Sequence, residues 1–448
     1  MAVPAYDHIQ SRVAKLPSAE WMGKVTKVVG LVVESVGPDC SIGEQVLIHA
    51  GWGRVVHAEV VGFHDRRVLL MPLEDTEGIR PGMSVEAAGH PAMIPVGEEL
   101  LGRVIDPLGR PLDGGPELKL SHFAPLQGQP RNPMKRRPIR EPLSVGVRVV
   151  DGMLTLGKGQ RVGIFAGSGV GKSTLLGMMA RNTNADVNVI ALVGERGREL
   201  REFIEHDLGP EGLKRSVVVV ATSDLSPLLR LRCALAATAV AEHFMKDGRD
   251  VLMMMDSVTR FAMAQREVGL SAGEPPSSRG YTPSVFALLP RLMERAGSFE
   301  EAGSITALYT VLVEGDDLNE PISDTVRGIL DGHIVLSRKL ASKNHYPAID
   351  VLGSLSRLFS ALAVPEQKQL SAKVRDLMAT YADAEDLIQI GAYTKGSSPS
   401  IDQAIQFQPG IQAFLRQATA ETSSLRQTQL DMGKIFGIDL APFLKEGA

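Results

Sequence analysis

The sequence predicts a multidomain protein: a small N-terminal β-barrel or sandwich, a central α/β domain on a doubly wound parallel sheet, and a helical C-terminal domain. Three observations predict it. The 448 residues exceed one ordinary hydrophobic core. Short strand-like runs with no helical period fill Val25 to about Pro95, whereas from Arg161 apolar strand runs alternate with helical segments. From about Val364 the period is helical to the end. The expected divisions are 1–20, 21–95, 96–365 and 366–448.

Residues 1–20 place Tyr6, Ile9, Val13 and Leu16 on one helical face, with Asp7, Gln10, Arg12 and Lys15 between them. This reads as a short amphipathic helix that packs on its own body or binds a partner; Pro17 ends it. In the barrel region Lys24–Val33, Gln45–Ile48, Val55–Phe63 and Val68–Met71 read as strands, separated by Gly-Pro, Asp-Arg and Arg-Pro-Gly breaks. The stretch Gln127–Pro142 holds four prolines with Arg131, Lys135, Arg136, Arg137 and Arg140, and reads as an extended, solvated connector. The expected strands of the central domain are Arg161–Phe165, Val187–Val193, Ser216–Ala221, Val251–Met255, Ile305–Val313 and His333–Leu336. They are nearly continuous apolar runs, as strands covered on both faces require. Helices are expected at Ser173–Arg181, Glu199–Asp207, Pro227–Lys246 and Ile322–Leu330. Gly269–Pro283 reads as a long loop, and Phe414–Phe443 as amphipathic.

Composition narrows the function classes. Hydrophobic residues at 44% and charged residues at 22% are ordinary for a globular chain, which argues against disorder. No stretch approaches ~18 uninterrupted apolar residues, so no membrane span is expected. Cys40 and Cys233 lie far apart, without the clustering of a disulfide framework or zinc site, and the chain reads as cytosolic. The 48 basic residues against 52 acidic ones, with aromatics at 5%, give no support to nucleic-acid binding, which rests on phosphate neutralisation and base stacking.

The chemistry concentrates after the first central strand. Ala166-Gly167-Ser168-Gly169-Val170-Gly171-Lys172-Ser173 follows an apolar strand and opens a helix, the context of a phosphate-binding loop. Glycines let the loop curl so that backbone N–H groups face phosphate oxygens, and the helix N-terminus adds its dipole. Lys172 supplies a mobile charge for the β- and γ-phosphates, and the Ser173 hydroxyl suits Mg²⁺. Asp256, at the end of the apolar run Val251–Met255, is the second expected metal group. Glu195 emerges from the strand Val187–Val193 at its carboxyl end, where open α/β sheets bind ligands; it is placed to polarise a water, with Arg196 to steady the transferring phosphate. Arg198 and Glu199 read equally well as solvated helix-start charges.

With these residues in view, GIFAGSGVGKST, GERGRE, VLMMMDSVTRFAMAQRE, GEPPSSRGYTPSVFALLPRLMERAG, SDTVRGILDGHIVLSRKLASKNHYPAIDVLGSLSR and IGAYTKGSS together resemble the rotary-type ATPases, and within them the type III protein-export branch of the bacterial flagellum. The likeness spans roughly residues 22 to 415. It implies an N-terminal β-barrel, a RecA-like ATPase domain with a parallel sheet, a helical C-terminal domain and a homohexameric ring with nucleotide between neighbours. It implies that Gly167 to Thr174 bind ATP, that Lys172 and Ser173 grip the phosphates and Mg²⁺, that Glu195 activates water, and that Arg196 and Asp256 complete the pocket. Arg357, in Gly353-Ser354-Leu355-Ser356-Arg357, matches the arginine finger reaching into an adjacent subunit's site. Tyr346 matches the aromatic that packs on adenine; without the resemblance it reads as core. The implied partners are an export regulator at the N-terminal helix, a stalk-like coiled coil at Gly269–Pro283, the membrane export gate and chaperone–substrate complexes. The implied location is cytoplasmic, at the periphery of the inner-membrane export apparatus.

Because the chain carries both Glu195 and Arg357, a ring of identical copies would supply base and finger at every interface. Three relatives compete. A virulence-injectisome ATPase shares nearly every motif; the flagellar reading rests on likeness around Val68–Gly82 and Met134–Gly146. An ATP synthase catalytic subunit would carry an acidic helix–turn signature where this chain has IGAYTKGSS. An RNA-translocating hexamer of the termination-factor type is disfavoured by charge and aromatic content. A non-catalytic scaffold is disfavoured by the intact Lys172, Glu195 and Asp256.

Overall fold

The computed structural model describes residues 21–443 other than 129, 130, 301, 314 and 316. The expected N-terminal helix over 1–20 lies outside the described residues. The chain divides into two compact units, one running through Ala92 with Glu267–Pro275, the other comprising Met93–Arg266 and Pro276 onward.

The first unit is a closed six-stranded barrel. Its strands are β1 (Gly23–Val29), β2 (Val32–Val36), β3 (Glu44–His49), β4 (Val55–His64), β5 (Arg67–Pro72) and β6 (Ser84–Pro91), closing in the order β1-β2-β5-β4-β3-β6. Alternation turns Val33, Val46, Ile48, Val56, Val60, Leu70 and Val85 inward to a single small core. Two details depart from the sequence expectation. The run Lys24–Val33 is not one strand: it folds back at Gly30–Leu31 so that Val29 faces Val32, with Gly30 at φ 55° in the region a two-residue hairpin loop demands. The closing strand β6 was not foreseen, since only Val85 and its inward neighbours carry an apolar signal.

The second unit is built on a sheet ordered Ile349–Ser356, Gly332–Leu336, Arg161–Ala166, Ser304–Leu312, Asp250–Asp256, Val187–Glu195, Ser216–Thr222 and Val104–Ile105. Pairing is parallel from Gly332–Leu336 across to Val104–Ile105. The edge strand Ile349–Ser356, absent from the expectation, is antiparallel and half exposed, which hides it from a search for buried runs. Parallel strands share a carboxyl edge, so Ala166, Glu195 and Asp256 all end on one side of the sheet.

Three helices, Pro365–Gln389, Pro399–Leu415 and Leu425–Ile435, follow the sheet. Their Leu370, Val374, Leu377, Ile411, Phe414 and Met432 join the same hydrophobic cluster as Val162, Ile164 and Leu175 of the nucleotide half. No described helix is long and apolar enough to cross a membrane.

The proline-rich stretch is not a solvated connector. Arg131 and Arg136 stack over the Phe299 ring with guanidinium carbons 4.2 and 4.9 Å from its centroid. Arg136 also pairs with Glu294 at 2.9 Å, and Arg137 donates to the Ala302 carbonyl at 2.7 Å. Prolines hold the chain extended, and extension lets successive arginines reach carbonyls and a ring that helical spacing would miss. The loop expected over Gly269–Pro283 is shorter than thought: Gly269–Ser271 still belongs to the helix Val258–Ser271, and Pro283 opens the next.

Candidate active site

The loop 167–171 joins the strand Arg161–Ala166 to the helix Lys172–Asn182. Gly171 caps that helix at φ 85°, a left-handed conformation that favours glycine, and Val170 is buried in the sheet core, anchoring the loop from below. Gly167 is buried while Ser168 and Gly169 are exposed, leaving the loop's outer face open to a ligand.

Lys172 bridges two carboxylates. Its Nζ donates to Asp256 Oδ1 and lies 3.7 Å from Glu195 Oε1. Thr310, on the strand between Arg161–Ala166 and Asp250–Asp256, donates its hydroxyl to the same Asp256 oxygen at 2.7 Å. Burial, and then the negative charge of Asp256, push the Glu195 carboxyl up to about 7, with Lys172 and Arg260 pulling the other way. Ser173 and Thr174 follow on the first turn, and the Thr174 hydroxyl bonds the Asp207 carboxylate.

Lys172, Glu195 and Asp256 are thus brought to one point, beside the phosphate loop. Arg196 is not. It points to solvent, 75% exposed, and pairs with Glu199 at 3.1 Å, the helix-start arrangement considered for its neighbours. The physical reason is that the strand ends at Glu195 and the chain turns outward into the helix Gly197–Glu202. Arg260, on the helix after Asp256, is a second cation, after Lys172, whose charge reaches Glu195. Sequence reading missed it, although its place four residues after the acidic strand end was a usable signal. Thr310 was also missed; a hydroxyl inside an otherwise apolar, doubly covered strand was the clue.

Tyr346 is 41% exposed, not core. It lines a cavity of about 410 Å³ with Gly169, Gly171, Thr174, Met178 and the segment Gln417–Thr419. Gln417 is held there by donating to the Gly146 carbonyl at 2.8 Å and by its own N–H on the Tyr346 carbonyl at 3.0 Å. Nothing local in the sequence marks Gln417–Thr419, because only tertiary folding returns the helical region to the loop. Arg357 is in neither group. It stands exposed at the end of the antiparallel edge strand, in a second cavity of about 440 Å³ with Asp324, Arg327 and His333.

Ser173 and Asp256 offer a hydroxyl and a carboxylate, oxygen donors of the type a hard divalent cation takes. Lys172 and the glycine loop supply the complementary positive face for phosphate.

Comparison with known proteins agrees with this chemistry. The beta-barrel domain of the ATP synthase alpha/beta family matches residues 25–89, its nucleotide-binding domain 146–356, and the T3SS EscN ATPase C-terminal domain 363–434. The flagellum-specific ATP synthase of Bacillus subtilis is 59% identical over 410 residues, covering 91% of this chain and 93% of that protein. The chain belongs to the ATP synthase alpha/beta family. Within that family it is a P-loop ATPase of the flagellar and type III secretion branch. The type 3 secretion system ATPase of Xanthomonas euvesicatoria is 51% identical over 421 residues, 94% of this chain and 95% of that one. Among solved structures, assembled EscN in complex with its central stalk EscO, from the enteropathogenic E. coli type III secretion system, superposes with a TM-score of 0.85. It is 44% identical and covers 92% of this chain and 99% of that one.

Proposed function

We propose that the chain is the Mg²⁺-dependent ATP hydrolase of a flagellar type III export apparatus, acting as a homohexamer whose hydrolysis drives release and unfolding of export substrates. The observation that carries the catalytic reading is the meeting of Lys172, Glu195 and Asp256 at the phosphate loop. The flagellar assignment is supported by 59% identity to a flagellum-specific relative. A secretion ATPase is the second reading, favoured by the 51% identical relative. Restored motility in a flagellar ATPase-null strain, without restored effector secretion in a secretion-null strain, separates the two.

In the proposed mechanism Glu195 orients a water for in-line attack on the γ-phosphate and accepts its proton. A carboxyl held near 7 suits that exchange at neutral pH. Lys172 turns from the two carboxylates to the β- and γ-phosphates, and the charge of Arg260 steadies Glu195; Arg196, expected to steady the transferring phosphate, does so by turning in from solvent. Ser173 and Asp256 would hold Mg²⁺, which neutralises phosphate charge when bound. Tyr346 packs on the base in the cavity it shares with Gln417–Thr419. Arg357 completes a neighbour's site as a finger, a role worth ~10³-fold or more in rate.

Residues 21–95, 96–365 and 366–448 divide the work into barrel, ATPase and helical parts. Residues 1–20 bind an export regulator, a coiled-coil stalk bears on Gly269–Pro283, and the ring docks from the cytoplasm at the export gate, where it receives chaperone–substrate complexes. The relative EscN, solved with its central stalk, supports the stalk. Glu195→Gln is the decisive test: ATP binding persists while turnover falls by about 10²- to 10⁴-fold. Near-normal turnover would sink the assignment.

A further inference from the structure

A long, exposed arginine can be aimed only by its backbone, since its own side chain has many rotamers. The Arg357 guanidinium makes no hydrogen bond or ion pair with any described residue. Its root, by contrast, is tightly held. The Arg357 N–H donates to the Asp331 carbonyl at 3.0 Å. The buried Gln160 amide donates to that same carbonyl at 3.3 Å and to the hydroxyl of Ser356, the preceding residue, at 3.1 Å. The Gln160 carbonyl oxygen accepts the Gly157 N–H at 2.9 Å, which fixes the amide's orientation. Ser356 in turn donates to the Thr155 carbonyl at 3.2 Å. The Asp331 carboxylate is held by the backbone and side chain of Arg161, each at 3.1 Å. Arg161 opens the strand that leads into this chain's own phosphate loop, and Gln160 immediately precedes it.

We propose that Gln160 is a positioning residue for Arg357, tying the finger one copy lends its neighbour to the strand that carries its own phosphate loop. This rests on the finger reading of Arg357 given above. The link is direct: one side chain grips the carbonyl under Arg357 and the hydroxyl beside it, from the residue just before the phosphate-loop strand.

Gln160→Leu keeps the volume and removes the three hydrogen bonds of the Gln160 side chain; Ser356→Ala removes that hydroxyl's bonds to Gln160 and to the Thr155 carbonyl and serves where the leucine variant does not fold. Either variant is expected to lower kcat, for Gln160→Leu roughly 10- to 100-fold, with KM for ATP nearly unchanged. Subunit mixing distinguishes finger from loop. Mixed with Lys172→Ala subunits, the variant should regain turnover, because the lysine variant lends a sound finger to the variant's sound loop. Mixed with Arg357→Ala subunits it should not, because neither copy offers a finger. The reverse pattern, or rescue by neither or both, overturns the proposal, as does unchanged kcat in both variants. Arg357→Ala mixed with Lys172→Ala is the control. If that pair fails to recover, the finger reading itself falls, and is seen to fall separately.

Discussion

At the residue scale, the site's behaviour is set by how few charges share a small, partly dry space. Lys172 is the cation set between Glu195 and Asp256, and its loss would leave two carboxylates facing each other. The same physics governs Asp151, whose carboxylate accepts from Ser144 Oγ at 2.7 Å and from the Val145 and Gly146 N–H groups at 3.0 Å each. These bonds hold the start of the nucleotide-binding domain, and the Gly146 carbonyl they position receives Gln417 from the cavity beside Tyr346. Full burial nevertheless pushes the Asp151 carboxyl up to about 7, outweighing those bonds. Because the folded value lies above the unfolded one, the native state binds the extra proton. Asp151 therefore lowers stability progressively as pH climbs from about 4 to about 7, with no further change above that. Asp151→Asn puts an amide where Gly146 N–H and Ser144 now donate, so it destabilises, but it removes the titration. The urea-midpoint gap between wild type and Asp151→Asn should therefore be widest near pH 4.5 and narrow toward pH 7.5; a gap independent of pH would refute the burial argument.

At the scale of elements, the helix after Glu195 is interrupted. The expected single helix over Glu199–Asp207 is an α-helical turn, Gly197–Glu202, passing into a π-helical turn, Phe203–Leu208. The wider turn lays Asp207 against the phosphate-loop helix, where its carboxylate meets Thr174. It fits only because residue 177 is glycine: a Cβ there would stand 2.5 Å from the Asp207 carbonyl oxygen, with backbone rather than a movable side chain in the way. Gly177→Ala should therefore cost about 1–3 kcal/mol despite alanine's better helix propensity, read as a lowered unfolding midpoint. A stabilised variant would mean the contact is looser than drawn. The latch of Arg131, Arg136 and Arg137 onto Glu294–Ala302 is the same lesson in another element. Charge runs look solvated in sequence because the carbonyls and ring that receive them lie more than 150 residues away.

At the scale of the molecule, Arg357 stands apart from its own phosphate loop, so under the proposed roles of Glu195 and Arg357 a lone copy has base and loop without a finger, and activity depends on assembly. Specific ATP turnover should rise with protein concentration, in step with the appearance of hexamer mass on the same samples, and more readily with ATP present. Flat activity from a species of monomer mass would reduce the protein to a phosphate-loop ATPase without a shared site.

What the sequence by itself determined is whatever is local. The phosphate loop, the carboxylates at two strand ends, the doubly covered strands and the helical C-terminal region were legible because each is a run whose residue types follow from one backbone geometry. What only the tertiary structure decided involves partners distant in the chain. The Arg260 charge reaches Glu195 while Arg196 turns to solvent, Thr310 steadies Asp256 from an intervening strand, Gln417–Thr419 close the cavity beside Tyr346, and Gln160 holds the root of Arg357. Periodicity reports which face of an element is buried, but a hydrogen bond between side chains also needs the register and crossing of elements far apart in sequence, and those exist only once the sheet has assembled.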